Sequence, residues 1–143
     1  MHTLPAWPLT LYYDGDCPLC AREIAALRRR ADPQRLQLVD IAAPDFISAP
    51  DEPQKAALQA RLHARFADGQ WVSGLDATYW SWRAAGFERL ALLLRWHWLR
   101  RLLEPGYRLF CRLRPHLDWL PHPDGAARCR DGQCAVPPRK SRP

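Results

Sequence analysis

A short apolar run, Leu9-Thr10-Leu11-Tyr12-Tyr13, ends in Asp14-Gly15-Asp16 and is followed at once by Cys17-Pro18-Leu19-Cys20. The run is rich in β-formers and nearly continuous in apolar character, as expected of a buried strand. Asp-Gly-Asp is turn chemistry. From Cys17 the period becomes helical: Cys20, Ile24, Leu27 and Ala31 fall on one side, with Arg22, Arg29 and Arg30 elsewhere. Pro18 suits the first helical position, where its missing N–H would be unpaired anyway. Arg28 to Arg30 fall in the last turn, where cations complement the helix dipole. Asp32-Pro33 ends the helix, and Leu36 to Ile41 reads as a second strand. The chain therefore opens as β-α-β, with a right-handed crossover if the strands are parallel. Its two cysteines stand at the strand-to-helix junction.

Downstream, Ala43 to Pro53 reads as a Pro- and Asp-rich loop, and 54–65 as a helix. Phe66-Ala67-Asp68-Gly69-Gln70-Trp71-Val72 reads as a hairpin, because Asp-Gly between apolar flanks is a strong turn signal. Ser73-Gly74 leads into a helix in which Ala77, Trp80 and Ala84 share one apolar face. Residues 87–103 contain no Pro or Gly and read as one helix with a broad apolar surface. Pro105-Gly106 is expected to break it, and 107–114 to form a further short helix. There Cys111 lies among Tyr107, Leu109, Phe110 and Leu113, and reads as a buried, inert thiol.

These elements predict an α/β fold with a thioredoxin-like β-α-β-α-β-β-α core and extra C-terminal helices. A length of 143 residues suffices for one domain with a real core, burying about two-thirds of its unfolded surface. The division expected is a core over 1–86, a helical extension of the same domain over 87–120, and a Pro/Arg-rich, partly disordered tail over 121–143. No apolar stretch reaches membrane-spanning length. The opening residues show neither a basic segment before an apolar run nor a small-residue cleavage site, so the expectation is a cytoplasmic chain.

The Cys17-x-x-Cys20 spacing has a chemical reason. At the first turn of a helix, residues three apart lie close enough for a disulfide that opens and closes. The free helix N–H groups and the dipole there favour a thiolate. Cys17, at the mouth of the turn, is expected to be the more exposed and the attacking thiolate; Cys20, one turn in, resolves the mixed disulfide. Asp14 ends the strand beneath the pair. It could accept a proton from Cys20 or simply hydrogen-bond the turn. Asp16 adjoins Cys17 and would oppose its ionisation if the carboxylate approached the sulfur. Tyr13 and Pro18 complete the supporting set.

The segment Tyr13-Asp14-Gly15-Asp16-Cys17-Pro18-Leu19-Cys20, then Glu23 and Arg28 to Arg30, then Val39-Asp40-Ile41, resembles the DCC family of thiol-disulfide oxidoreductases. Asp68-Gly69, Ser73-Gly74 and Asp76-Ala77 are similar to that family's later segment. The resemblance covers roughly 9–115 and implies a thioredoxin-like fold with a redox-active dithiol. It implies no cofactor, and a partner that is a disulfide substrate or a redox protein. Thioredoxins place a cis-proline before the third core strand, facing the dithiol. Here Leu62-His63-Ala64-Arg65 precede Phe66, so substrate docking is expected to differ.

A second pair, Cys129 and Cys134, brackets an Asp-Gly turn with Arg128 and Arg130 alongside. It reads as a second redox pair, a local disulfide loop, inert thiols or, with Cys17 and Cys20, a zinc site of four thiolates. The reading adopted for the chain includes no metal. The alternative to an enzyme is a binding module whose dithiol is structural or zinc-bound and whose basic helices dock a partner.

Charge is uneven, as expected first of an arginine-rich solubilising surface on helices and otherwise of a surface that meets nucleic acid, anionic lipid or acidic proteins. The net charge is +6; residues 84–143 carry 12 basic against 5 acidic side chains, and 1–83 carry 9 against 10. Trp96-His97-Trp98-Leu99-Arg100-Arg101 has the composition of an interfacial membrane helix and equally of a helix packed on the domain. Membrane-surface contact through 87–103 is therefore one expectation. Nucleic acid is disfavoured, because the aromatic residues sit mainly in amphipathic helices.

Overall fold

In a computed structural model, residues 5–116, 129–130 and 133–134 are described. Strand β1 (Leu9–Tyr13) alternates in what it faces. Leu9, Leu11 and Tyr13 pack with Ile24 and Leu27 of helix α1 (Pro18–Arg30) and with Ala77 and Ala84 of helix α3 (Leu75–Ala84). Tyr12 turns to the opposite face, against Ile41 and Leu58, the latter on helix α2 (Lys55–Ala60). The strand is thus covered on both sides, which is why it lacks a polar face. Each large aliphatic side chain so buried contributes about 1.5–3 kcal/mol.

The sheet is four-stranded in the order β2-β1-β3-β4, with β2 at Leu36–Asp40, β3 at His63–Phe66 and β4 at Trp71–Ser73. β1 runs parallel to β2, Leu9 opposite Leu36, and antiparallel to β3, Leu9 opposite Phe66 and Tyr12 opposite His63. The result is an α/β fold in the predicted β-α-β-α-β-β-α order, with a mixed sheet.

Two predicted helices differ from expectation. The helix expected over 54–65 ends at Ala60, and His63 to Phe66 form β3. Ala64 and Phe66 are buried while His63 and Arg65 are only partly so, a period of two that fits β1 and not a helix. The hairpin turn stands as read, with Gly69 in the left-handed region at φ 90°, where the lack of a Cβ removes the penalty.

The single helix expected over 87–103 is two. Helix α4 (Glu88–Leu93) stops at Leu94 to Trp96, where successive i→i+3 bonds tighten the chain, and α5 (His97–Leu113) follows. Buried Ala91 and Leu94 pack against Tyr79, Trp80 and Trp82. The chain bends to keep them there. Conversely, Pro105-Gly106 does not break α5. A mid-helix proline costs about 3 kcal/mol in isolation, but the helix is fastened on both sides of it. Arg100 Nη2 bonds Asp76 Oδ1 at 2.6 Å, and the Tyr107 hydroxyl accepts the Leu62 N–H at 3.0 Å.

A 3-10 turn (Arg114–His116) ends this part of the chain. The tail reading for 121–143 lies outside the described residues, save for β5 (Cys129–Arg130) and β6 (Gln133–Cys134). These pair antiparallel with Cys129 opposite Cys134 in register. The redox, loop and zinc readings of that pair rest on side chains outside the description.

Candidate active site at the strand-to-helix junction

Four hydrogen-bonding devices build the junction, two within the turn and two that tie it to the end of β2. Tyr13 C=O accepts the Ile41 N–H at 3.0 Å, fixing the end of β1 against the exit of β2. Asp14 Oδ1 accepts the Asp16 N–H at 3.0 Å, and Asp14 C=O accepts the Cys17 N–H at 3.1 Å. Asp40 Oδ1 takes the N–H groups of Gly15 at 3.0 Å and Ala42 at 2.9 Å, tying the turn to the neighbouring strand. A Cβ at Gly15 would overlap the Asp40 carboxylate, so any other residue there must displace it. Pro18 then starts α1 as expected, and buried Ala21, Ile24 and Leu27 hold the helix to the core.

Cys17 is the N-cap of α1, and its Sγ accepts the Cys20 N–H at 3.3 Å. A sulfur takes the place usually held by a Ser or Asp oxygen. The Cys17 thiol is lowered to about 7, first by the hydrogen bond it receives from the Cys20 side chain, then by the Cys20 and Leu19 backbone and by Arg114; burial opposes the shift. The Cys20 thiol is pushed up, because it holds its proton in the bond to Cys17 and is desolvated. The pair is thus polarised into one acidic and one proton-holding thiol.

The exposure expected of the two is corrected. Cys17 is buried, at 3% exposed, and Cys20 is the partly exposed one. Folding the turn under Asp14 and capping the helix covers Cys17. What separates the thiols first is the hydrogen bond between them. Cys111 is likewise partly exposed, not buried, and lies beside the Tyr107 hydroxyl, whose ionisation is suppressed chiefly by burial.

The site also holds a residue that sequence reading missed. Arg114, just past α5, hydrogen-bonds Cys20 and attracts both sulfurs electrostatically. Its Nη2 lies 3.8 Å from Asp14 Oδ2, with the two side chains only 12% and 16% exposed. Asp14 therefore sits between the turn and Arg114. Tyr13 is held through its hydroxyl, which accepts from Arg28 Nη2 at 3.1 Å. Glu23 Oε1 accepts the Trp82 Nε1–H at 2.9 Å, linking α1 to α3, and burial pushes its carboxyl up. Beside the site, no proline precedes β3. The Leu62 N–H is already taken by Tyr107, and the cis peptide among the described residues, Trp7-Pro8, precedes β1 instead.

A dithiol across the first turn of a helix, at the carboxyl end of a central strand flanked by helices on both faces, defines a thioredoxin-like dithiol domain. The match to known sequences narrows this. The model of the DCC1-like thiol-disulfide oxidoreductase family matches residues 11–120, and the chain belongs to that family. It is also similar to an uncharacterised chloroplastic protein of Arabidopsis thaliana, 27% identical over 112 residues, which cover 76% of this chain. The chain spans about half, 51%, of the length of that relative. No solved structure matches it. Among the described residues no helix is long and apolar enough to cross a membrane.

Proposed function

We propose that the protein exchanges disulfides through Cys17 and Cys20, with Cys17 as the attacking thiolate. The observation that carries this is the capping bond: the Cys17 sulfur accepts the Cys20 N–H at 3.3 Å at the start of α1, which stabilises the negative sulfur more than the neutral one. Cys17 thiolate attacks a substrate disulfide. A new S–S bond forms, the substrate's own S–S bond breaks, and the electron pair leaves on the departing thiolate, which takes a proton from solvent. Cys20 then loses its proton and attacks Cys17, forming the Cys17–Cys20 disulfide and releasing the second substrate thiol. The substrate gains two electrons, and an external dithiol restores the enzyme.

In this scheme Arg114 favours the anionic sulfur of either cysteine in turn, and Asp14, beside Arg114, is the acceptor for the Cys20 proton. A cytoplasmic setting, where thiols are kept reduced, belongs to the same proposal. The experiment is trapping. Cys20→Ser should accumulate mixed disulfides at Cys17 with a disulfide substrate, and Cys17→Ser should accumulate few. Equal trapping by both variants, or trapping only at Cys20, would reverse the assignment. Asp14→Asn should slow release of the mixed disulfide more than it lowers stability.

A further inference from the structure

The outward faces of α4 and α5 take no part in the dithiol chemistry. At 100° per residue, Trp98, Leu102, Pro105, Leu109 and Leu113 fall within a sector of about 80° on α5. Four of these side chains are 61%, 67%, 56% and 47% exposed, in the order Trp98, Leu102, Leu109, Leu113. Leu90, Leu92 and Leu93 of α4 are 49%, 54% and 43% exposed. Such breadth exceeds the scattered single apolar residues normal on a surface. The opposite side of α5 is fastened to the domain through Arg100, Glu104 and Tyr107.

The charges on this helix are segregated. Arg101, Arg108 and Arg112, with His97, are exposed along one edge of the apolar sector. The helix's one carboxylate, Glu104, faces Arg61 on the domain side. The outward half of α5 is therefore apolar and cationic and carries no carboxylate. At its start the Trp96 and Trp98 rings lie 5.8 Å apart, both more than half exposed.

We propose that this face docks on an anionic lipid surface, with the leucines in the acyl boundary, the indoles at headgroup depth and the arginine edge on lipid phosphates or carboxylates. The charge pattern selects lipid over a second copy of the chain. A second copy would bring an identical cationic edge, and the outward half of α5 offers no carboxylate to meet it, the exposed carboxylate of these two helices being Glu88 at the start of α4, whereas an anionic bilayer supplies both complements. Because Arg114 at the end of this helix reaches Asp14, a docked α5 keeps the dithiol junction near the bilayer.

The test is co-sedimentation of the full chain with phosphatidylcholine vesicles, with and without phosphatidylserine. Binding is expected with phosphatidylserine, weak without it, and falling as salt rises. Arg108→Gln with Arg112→Gln should weaken it about thirtyfold, from the usual gain per basic residue at an anionic surface. Leu102→Glu with Leu109→Glu should abolish it at an unchanged melting temperature, since both side chains are exposed; should that pair fail to fold, the arginine pair decides. Failure to bind phosphatidylserine vesicles would overturn the proposal. So would binding that both paired variants leave unchanged. A concentration-dependent dimer lost in the leucine pair, without vesicle binding, would overturn it in favour of self-association. Disulfide exchange in solution does not enter any of these readouts.

Discussion

The β1–α1 junction and helix α5 lie close enough to share Arg114, yet they are held by different means. At the junction, consecutive residues do the work: Asp14, Gly15, Asp16 and Cys17 bond one another or Asp40, and α1 buries Ala21, Ile24 and Leu27. Helix α5 buries no residue and is fixed by a few polar fasteners, Arg100–Asp76, Arg61–Glu104 and Tyr107–Leu62. A site whose geometry must be exact rests on local turn chemistry over a packed helix. The element that tunes its charge is pinned at points and keeps an apolar face outward.

The sharpest break in that comparison is in packing. Leu27→Ala, at a position 2% exposed, should cost about 2–5 kcal/mol. Leu109→Ala, at 56% exposed, should change stability by less than about 0.5 kcal/mol. Denaturant titration of both variants checks this, and a comparable loss for Leu109→Ala would show that α5 is held by burial after all. Gly15→Ala comes next. Its Cβ must displace the Asp40 carboxylate, and it should cost about 1–3 kcal/mol while slowing Cys17 alkylation, because the turn that aims the thiol moves with Asp40. A gain in stability would show that the Asp40 carboxylate yields to the Cβ without loss of its bonds to the turn.

Glu23 gives a smaller, pH-dependent effect. Its folded-state carboxyl is raised above the ordinary 4.5 by burial. Below about that pH both states hold the proton. Between it and the raised value the unfolded chain has lost the proton and the folded chain has not, so stability falls as pH rises through that window. Glu23→Gln keeps an acceptor for the Trp82 N–H and removes the slope. Melting curves across mildly acidic to neutral pH should show the variant equal or more stable at neutrality. A variant less stable by more than about 1 kcal/mol at neutrality, with no fall in the stability of the unsubstituted protein across that window, would place the ionised carboxylate in the fold.

How much of this was legible follows the same division. The β-α-β unit, the turn, the helix start at Pro18 and the dithiol were readable because each is set by neighbours in sequence. β3 was hidden by the helix-forming run that precedes it. Ala56-Ala57-Leu58-Gln59-Ala60 are good helix formers, and only pairing with β1 decides that His63 to Arg65 join Phe66 in a strand. The run from α4 into α5 misled in both directions. No Pro or Gly marks the bend at Leu94 to Trp96, which tertiary packing of Ala91 and Leu94 imposes. Pro105-Gly106 is carried through by contacts that sequence does not show. Arg114 was invisible for a plainer reason: it stands 94 residues after Cys20, among many arginines, and only the fold brings it to Asp14. The burial of Cys17 was missed because the capping bond that covers it forms only once the turn is closed.

The central claim is that the folded junction, with Arg114, makes Cys17 the acidic thiol. Its most direct measure is the rate of Cys17 alkylation against pH in the reduced protein, followed by peptide mass and repeated in Arg114→Gln. Cys17 should be labelled first, with a half-maximal rate at about pH 7, and Arg114→Gln should move that midpoint upward without unfolding the chain. A rate still climbing through the range of an ordinary thiol, about pH 8.5, with Cys17 and Cys20 labelled alike and no change in the Arg114 variant, would contradict it.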